Sequence, residues 1–225
     1  VYMGQRVAIL HTSLVFIKKV PMISDLFAEL LPETEVVDII DSQILADVQV
    51  EGITASAIAR MTHMAEVAQA SGADVIFSNC SSLGPTIDTA RRAVNIPIIK
   101  IDDAMALEAA TRASTIGVLA TVPTTLDPTI ALIEEKAAGL GKSLTIYRGL
   151  SDGAFDMLMS GDTEGHDLMV LESARSLAPK VEILVLAQAS MTRLAPMLSE
   201  KTGLKVLTSP RLGVQSVKDY LDSLA

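Results

Sequence analysis

The chain has 225 residues, 49% hydrophobic and 20% charged, enough apolar material for one large domain or two smaller ones with well-buried cores. With 18 Lys and Arg against 27 Asp and Glu, the formal net charge of -9 excludes a phosphate-neutralising surface, and with it nucleic acid and anionic membranes as expected partners. No apolar run approaches the roughly 18 residues of a bilayer span, and the opening VYMGQRVAILHTS lacks the successive regions of a secretion signal, so the expected location is the cytoplasm.

In chain order, short β-rich runs alternate with longer amphipathic ones. RVAIL precedes MISDLFAELL, EVVDII precedes ITASAIARMTHMAEVAQA, DVIFS precedes PTIDTARRAV, and PIIKI precedes DAMALEAATRA. The strand-like runs are nearly all apolar instead of alternating, which is how strands read when helices cover both faces of a parallel sheet. The pattern then begins again with TIGVLA, TTLDPTIALIEEKAAGL, SLTIY, a helical region from about Gly161 to Leu177, EILVLA, TRLAPMLSEKT, LKVLT and a final helix, GVQSVKDYLDSL.

This second pass is an internal repeat. Setting Cys80 against Gln188 (an offset of 108, 188 less 80) brings Asp74 onto Glu182, Ile76 onto Leu184 and Ser82 onto Ser190. PIIKID falls on KVLTSP, and AILHT falls on GVLAT at an offset of 109, Thr121 less Thr12. The expected fold class is α/β: two lobes related by a pseudo-twofold axis, each a short parallel sheet flanked by helices, with the active site in the cleft between them. One lobe is expected over 1–102, with the C-terminal helix 210–225 packing on it, and the other over 103–209.

Ligands of open parallel sheets bind beyond the carboxyl ends of the strands. Those ends carry His11, Thr12 and Ser13, then Asn79, Cys80, Ser81 and Ser82, and in the second half Thr121, Gln188, Ala189 and Ser190. Cys80 is the only cysteine, so it forms no intrachain disulfide, and His11, His63 and His166 show no metal-ligand spacing. Neither metal nor cofactor is expected. A thiol between a strand and a helix N-terminus feels unpaired N–H groups and the positive end of the dipole, which favour the thiolate. The same amides and the hydroxyls of Ser81, Ser82 and Thr121 suit a carboxylate. The combination places an acid or base beside the carbon next to that carboxylate, where enolate-like charge develops.

These residues resemble the aspartate/glutamate racemase superfamily, through NCSS at 79–82, IGVLATVPTT at 116–125, LAQASM at 186–191 and VLTSPRLG at 206–213. The resemblance implies two cysteines facing each other from the two halves, exchanging an α-proton without pyridoxal phosphate or metal. Cys80 matches the first, and Gln188 stands where the second belongs. An amide delivers no proton at neutral pH, which leaves three readings. Another group, His11 or His166, supplies the second base; or Cys80 alone protonates a carbanion made by loss of CO2 or a retro-aldol step; or the protein only binds a small carboxylate. The expected substrate is a small carboxylate and the expected assembly a homo-oligomer.

Bland readings compete at several positions. Ser81, Ser82 and Ser190 can cap helices, as can Thr124 or Thr125 in ATVPTTLDP. His63 reads as an ordinary helix residue, and Asp102 and Asp103 as acids serving a helix cap and dipole. Asp41 and Ser42 end a strand and can reach the cleft mouth. GLGKS at 139–143 lacks the first glycine of a phosphate-binding loop, since Lys136 stands five residues before Gly141. The methionines read as core filler.

Overall fold

A computed structural model describes residues 4–14, 17 and 21–224. The described residues up to Ile101, together with those from Pro210 on, form one compact unit, and Asp102–Ser209 form the other. The first unit contains β1 (Arg6–His11), α1 (Met22–Leu30), β2 (Glu35–Ile40), α2 (Ile44–Glu51), α3 (Ala55–Ala70), β3 (Val75–Ser78), α4 (Ile87–Ala93) and β4 (Ile98–Lys100). The second contains α5 (Asp103–Arg112), β5 (Thr115–Ala120), α6 (Pro123–Gly139), β6 (Thr145–Leu150), α7 (Ala154–Ser160), α8 (Thr163–Leu177), β7 (Ile183–Leu186), α9 (Ala195–Thr202) and β8 (Lys205–Thr208). The last helix, α10 (Ser209–Asp222), returns the chain to the first unit.

Each unit is built on a four-stranded parallel sheet, ordered β2-β1-β3-β4 in the first and β6-β5-β7-β8 in the second. The central strands are covered on both faces, so β3 and β7 are buried at every residue and β1 and β5 at all but their first. That is why VIFS and ILVL contain so little polarity. The edge strand β2 instead alternates, with Val36, Asp38 and Ile40 exposed. Its apolar sequence suggested cover on both faces; the structure leaves one face of it open.

The repeat extends to individual hydrogen bonds. At the amino ends of the sheets, the Asp74 carboxylate accepts from Arg6 N at 2.7 Å and the Glu182 carboxylate from Thr115 N at 2.9 Å. The amides of Thr115 and Ser114 hold the Glu182 carboxyl below the ordinary carboxylate range. Helices α2 and α7 were not foreseen. Both are short: α2 occupies a stretch read as a connection, and α7 precedes a region expected to be one helix from Gly161. Asp162 caps α8 by accepting from Gly165 N at 2.9 Å, so the expected helix begins there.

Helix α10 is fastened to the first unit at several points. Gln5 Nε2 donates to Leu221 O at 2.8 Å, and Arg211 pairs with Glu29. Gly213 lies so close to the chain after β4 that a Cβ there would meet Ile101 O at 2.5 Å. An alanine normally favours a helix over glycine by about 1 kcal/mol, but here the contact is with backbone, which has little room to yield. Gly213→Ala is therefore expected to lower the unfolding free energy by about 1–3 kcal/mol, the usual cost of overpacking. Chemical denaturation measures this, and a stabilised variant would contradict the packing described.

Candidate active site

In each sheet the central pair of strands is extended by one further rung, where the N–H of Asn79 donates to Leu10 O (3.2 Å) and that of Ala187 to Leu119 O (2.9 Å). The next residue is extended in both units: Cys80 at φ -153°, ψ 110° and Gln188 at φ -124°, ψ 134°. Each leads into a six-residue 3-10 turn, Ser81–Thr86 or Ala189–Leu194. The turns close alike, Leu83 N donating to Cys80 O at 3.3 Å and Met191 N to Gln188 O at 3.0 Å. A 3-10 turn, not the expected α-helix N-terminus, thus follows the thiol, and α4 begins only at Ile87. The first amides of such a turn have no carbonyl within it to donate to. Neither Cys80 nor Gln188 caps its turn through a side chain.

Cys80 is half-buried and packs on a core cluster containing Leu10, Ile76, Leu83 and Ile98. Strand alternation places Thr12 on the same face, because it follows Ala8 and Leu10 at steps of two. Thr12 is buried, Ser13 and Ser81 are half-buried, and Ser82 is buried. Thr121 and Gln188 are the equivalents of Thr12 and Cys80, and they are joined. Gln188 Oε1 accepts from Thr121 N at 2.6 Å and from Thr121 Oγ1 at 3.0 Å. This fixes the carboxamide with its NH2 group turned away from the backbone of β5, and among the described residues nothing accepts from that group. Ala189 and Ser190 are half-buried beside it.

Lys100 was missed. It is only 8% exposed at the end of β4, paired in register with Ser78, and its Cδ lies 3.9 Å from where a Cβ on Gly84 would stand. The signal was a lysine inside the apolar run PIIKI, whose stem can pack along apolar surface. Alternation from Ile98, a member of the Cys80 cluster, puts Lys100 on the same face of the sheet as the thiol.

Of the three histidines, His63 is the ordinary helix residue expected, and His11 and His166 are buried in pairs with aspartates. His11 is buried, and its Nε2 donates to Asp38 Oδ1 of β2 at 2.8 Å. It belongs with Ile9 on the face covered by α1, opposite Cys80, so the structure does not bring the two together. Asn79 follows Phe77 in alternation and lies on that same opposite face. Phe77 meets Phe27 of α1 edge to face, with ring centroids 5.5 Å apart. His63 is exposed and pairs with Glu66 in the following turn of α3. His166 is fully buried, its Nδ1 donating to Asp167 Oδ1 at 2.7 Å. Arg193, from the turn after Gln188, donates twice to Asp167, at 2.5 and 2.6 Å. Burial alone would raise the Asp167 carboxyl, and the Arg193 and His166 hydrogen bonds outweigh it to hold the group below its ordinary value.

Several capping expectations are corrected. Val122 precedes α6 with Pro123 at the first helical position, so Thr124 and Thr125 fall inside the first turn. Asp102 and Asp103 do stand at the start of α5 as expected, Asp102 at the N-cap and Asp103 in the first turn, but Asp102 makes no side-chain capping bond and Asp103 pairs with Lys136 at 3.0 Å. Asp41 does not open onto a site either: its carboxylate accepts from Gln43 N and Ile44 N at the start of α2 and from Arg60 at 2.5 and 2.6 Å. Ser42 is exposed beside it. Among the described residues no group of three or more His, Cys, Asp or Glu could hold a metal ion, and no helix is long and apolar enough to cross a membrane.

A family model described as Asp/Glu/Hydantoin racemase matches residues 16–217. The chain belongs to this family. Among solved structures it is similar to glutamate racemase isoform RacE1 from Bacillus anthracis, with a TM-score of 0.79 at 13% identity over 100% of this chain and 84% of the other. It is similar also to allantoin racemase from Klebsiella pneumoniae, with a TM-score of 0.70 at 19% identity over 98% of this chain and 89% of that one. A third similar structure is a cysteine-for-glycine mutant of arylmalonate decarboxylase, with a TM-score of 0.64, 14% identity, and coverage of 98% and 94%. At these identities the likeness is one of fold. No protein among those of curated function matches the sequence. The two equivalent turns of the chain differ in the residue that precedes them, Cys80 in the first unit and Gln188 in the second.

The Asp41 network supplies a test of the local geometry. The Arg60 hydrogen bonds, with those from the amides of Gln43 and Ile44, hold the Asp41 carboxyl below its ordinary value against the opposing effect of burial. A lowered folded value means the contribution to stability is full above the unfolded Asp value of about 3.9 and is lost as pH falls through the folded value. Asp41→Ala is expected to cost about 1 kcal/mol at pH 7, where cap and ion pair are both lost. Urea denaturation should show a smaller cost near pH 3.

Proposed function

We propose that this chain is a cofactor-independent enzyme of the racemase class that transfers a proton at the carbon α to a carboxylate of a small acid, with Cys80 as the acid or base. The observation that carries the reading is the place of the only cysteine: at the carboxyl end of a central strand, before a 3-10 turn, in a chain of this family. Thr12, Ser13, Ser81 and Ser82 on the Cys80 side, with Thr121, Gln188, Ala189 and Ser190, are the groups assigned to hold the substrate. Lys100 lies on the same face of the sheet as the thiol. As base, the Cys80 thiolate takes the α-proton and leaves the electron pair delocalised onto the carboxylate; as acid, the thiol returns a proton to that carbon.

The tether on Gln188 favours a one-sided version. With Oε1 held by Thr121, the carboxamide offers N–H donors to a substrate oxygen and no proton to its carbon. Removal and return by Cys80 alone exchange the α-proton without inverting the centre. For a substrate that loses CO2 or undergoes retro-aldol cleavage, protonation by Cys80 gives a single enantiomer. A one-cysteine decarboxylase or lyase is therefore the second reading, supported by Gln188.

The deciding experiment incubates the protein with a panel of small amino, hydroxy and malonate-type acids in deuterium oxide and follows the α-proton and CO2. Exchange or decarboxylation is expected for some members, reduced about 100-fold or more by Cys80→Ala. Gln188→Cys is expected to add inversion to exchange. Stabilisation by an acid without either reaction would instead identify a small-carboxylate binding protein. Independently, alkylation of Cys80 is expected to proceed below the free-thiol value of about pH 8.5 and to be slowed by the acids that react. A thiol indifferent to every acid would overturn its assignment.

A further inference from the structure

The turn that follows Gln188 is held at both ends. At its start the Gln188 carboxamide oxygen accepts from Thr121 N at 2.6 Å and from the Thr121 hydroxyl at 3.0 Å. Near its far end Arg193 forks onto Asp167 of α8, Nη1 donating to Oδ2 at 2.6 Å and Nη2 to Oδ1 at 2.5 Å. A two-point pair of this kind fixes angle as well as distance. Asp167 is held in turn by the buried His166, whose Nδ1 donates to Oδ1 at 2.7 Å.

Helix α8 brings this pair to the level of Gln188. Leu177, its last residue, packs beside Gly117 of β5 and Gly149 of β6. Ser173, one turn earlier, meets Ser151 just past β6, with the two Oγ atoms 2.8 Å apart. His166 and Asp167 lie about two turns nearer the helix start, beyond the strand ends. The first unit has no such clamp. Helices α3 and α8 begin 108 residues apart (163 less 55), and at that offset Asp167 falls on Ala59 and Arg193 on Pro85. Neither of those side chains can form an ion pair.

We propose that Asp167 is a positioning residue for Gln188. Acting through Arg193, it fixes the turn so that the Gln188 Nε2–H groups face a substrate oxygen while Oε1 stays on Thr121. Two anchors, one on β5 and one on α8, leave the carboxamide a single orientation, and a donor oriented before the substrate arrives costs no reorganisation when it binds. The use of Gln188 in binding rests on the function proposed above; the clamp itself does not.

Backbone amide exchange reads the clamp without any substrate. The Thr121 N–H is tied to Gln188, and the Thr115 N–H, at the other end of the same strand, is tied to Glu182 at 2.9 Å and serves as an internal reference. Asp167→Asn keeps the side-chain shape and removes the charge. It is expected to speed exchange at Thr121 about tenfold through local opening and to leave Thr115 within about twofold. Arg193→Gln, at an exposed position, should act alike. In a Gln188→Leu background the tether is already gone, so Asp167→Asn should add no further change at Thr121. Unchanged exchange at Thr121, equal acceleration at both amides, or an undiminished effect in the Gln188→Leu background would each overturn the proposal. With an acid that exchanges its α-proton, Asp167→Asn is expected to raise KM about tenfold and to leave kcat within about twofold, the pattern of lost ground-state binding. A fall in kcat at unchanged KM would overturn the positioning role. Absence of reaction with every acid in the wild type would refute the function given to Cys80 and leave the exchange measurement to decide the clamp.

Discussion

A parallel sheet covered on both faces can carry chemistry only where its strands run out. In this chain β1, β3, β5 and β7 are buried along almost their whole length, where burying polar groups is costly. The polar residues accordingly gather at His11 to Ser13, Asn79 to Ser82, Thr121 and Gln188 to Ser190. What holds them there is the extra rung of hydrogen bonding from Asn79 to Leu10 and from Ala187 to Leu119, which carries strand geometry one residue past the apolar run. Cys80 and Gln188 are the first residues released from it.

Because the two units repeat one architecture down to single hydrogen bonds, their differences carry information. At the thiol's position the first unit places a small polarizable group against an aliphatic cluster; the second places a carboxamide whose oxygen is already spoken for by Thr121. The His166, Asp167 and Arg193 group, which has no counterpart of the same residue types in the first unit, clamps the turn after Gln188 onto α8. The second unit therefore supports a rigid hydrogen-bonding turn. In the first unit the comparable histidine chemistry lies on the far side of the sheet, where His11 meets Asp38.

The sequence made the strands, the repeat and the family visible because all three depend on local apolar runs and on spacing. EVVDII and TIGVLA coincide with β2 and β5. The short helices α2 and α7 escaped notice because they lie in stretches without a sustained 3.6-residue apolar period. Side-chain partners escaped for a different reason. His11 with Asp38, Asp167 with Arg193 and Asp41 with Arg60 are separated by 27, 26 and 19 residues, and which of two faces a strand-end residue takes depends on tertiary packing. His11 was read by its position at a strand end, and position alone does not say which way the ring turns. Lys100 was legible as an oddity in an apolar run, although its burial was not.

The return of α10 to the first unit has a consequence for how the chain acquires its structure. The second unit is an insertion: Asp102–Ser209 is continuous in sequence, whereas the first unit is assembled from both sides of it. During synthesis the inserted unit is complete while its host still lacks the helix that covers Ile101 and receives the Gln5 hydrogen bond. Contacts between residues 216 positions apart close last, and their loop-closure entropy is reduced once the intervening unit has collapsed into a compact body. The thiol-bearing unit is thus discontinuous in sequence and is completed only by residues that follow the inserted unit.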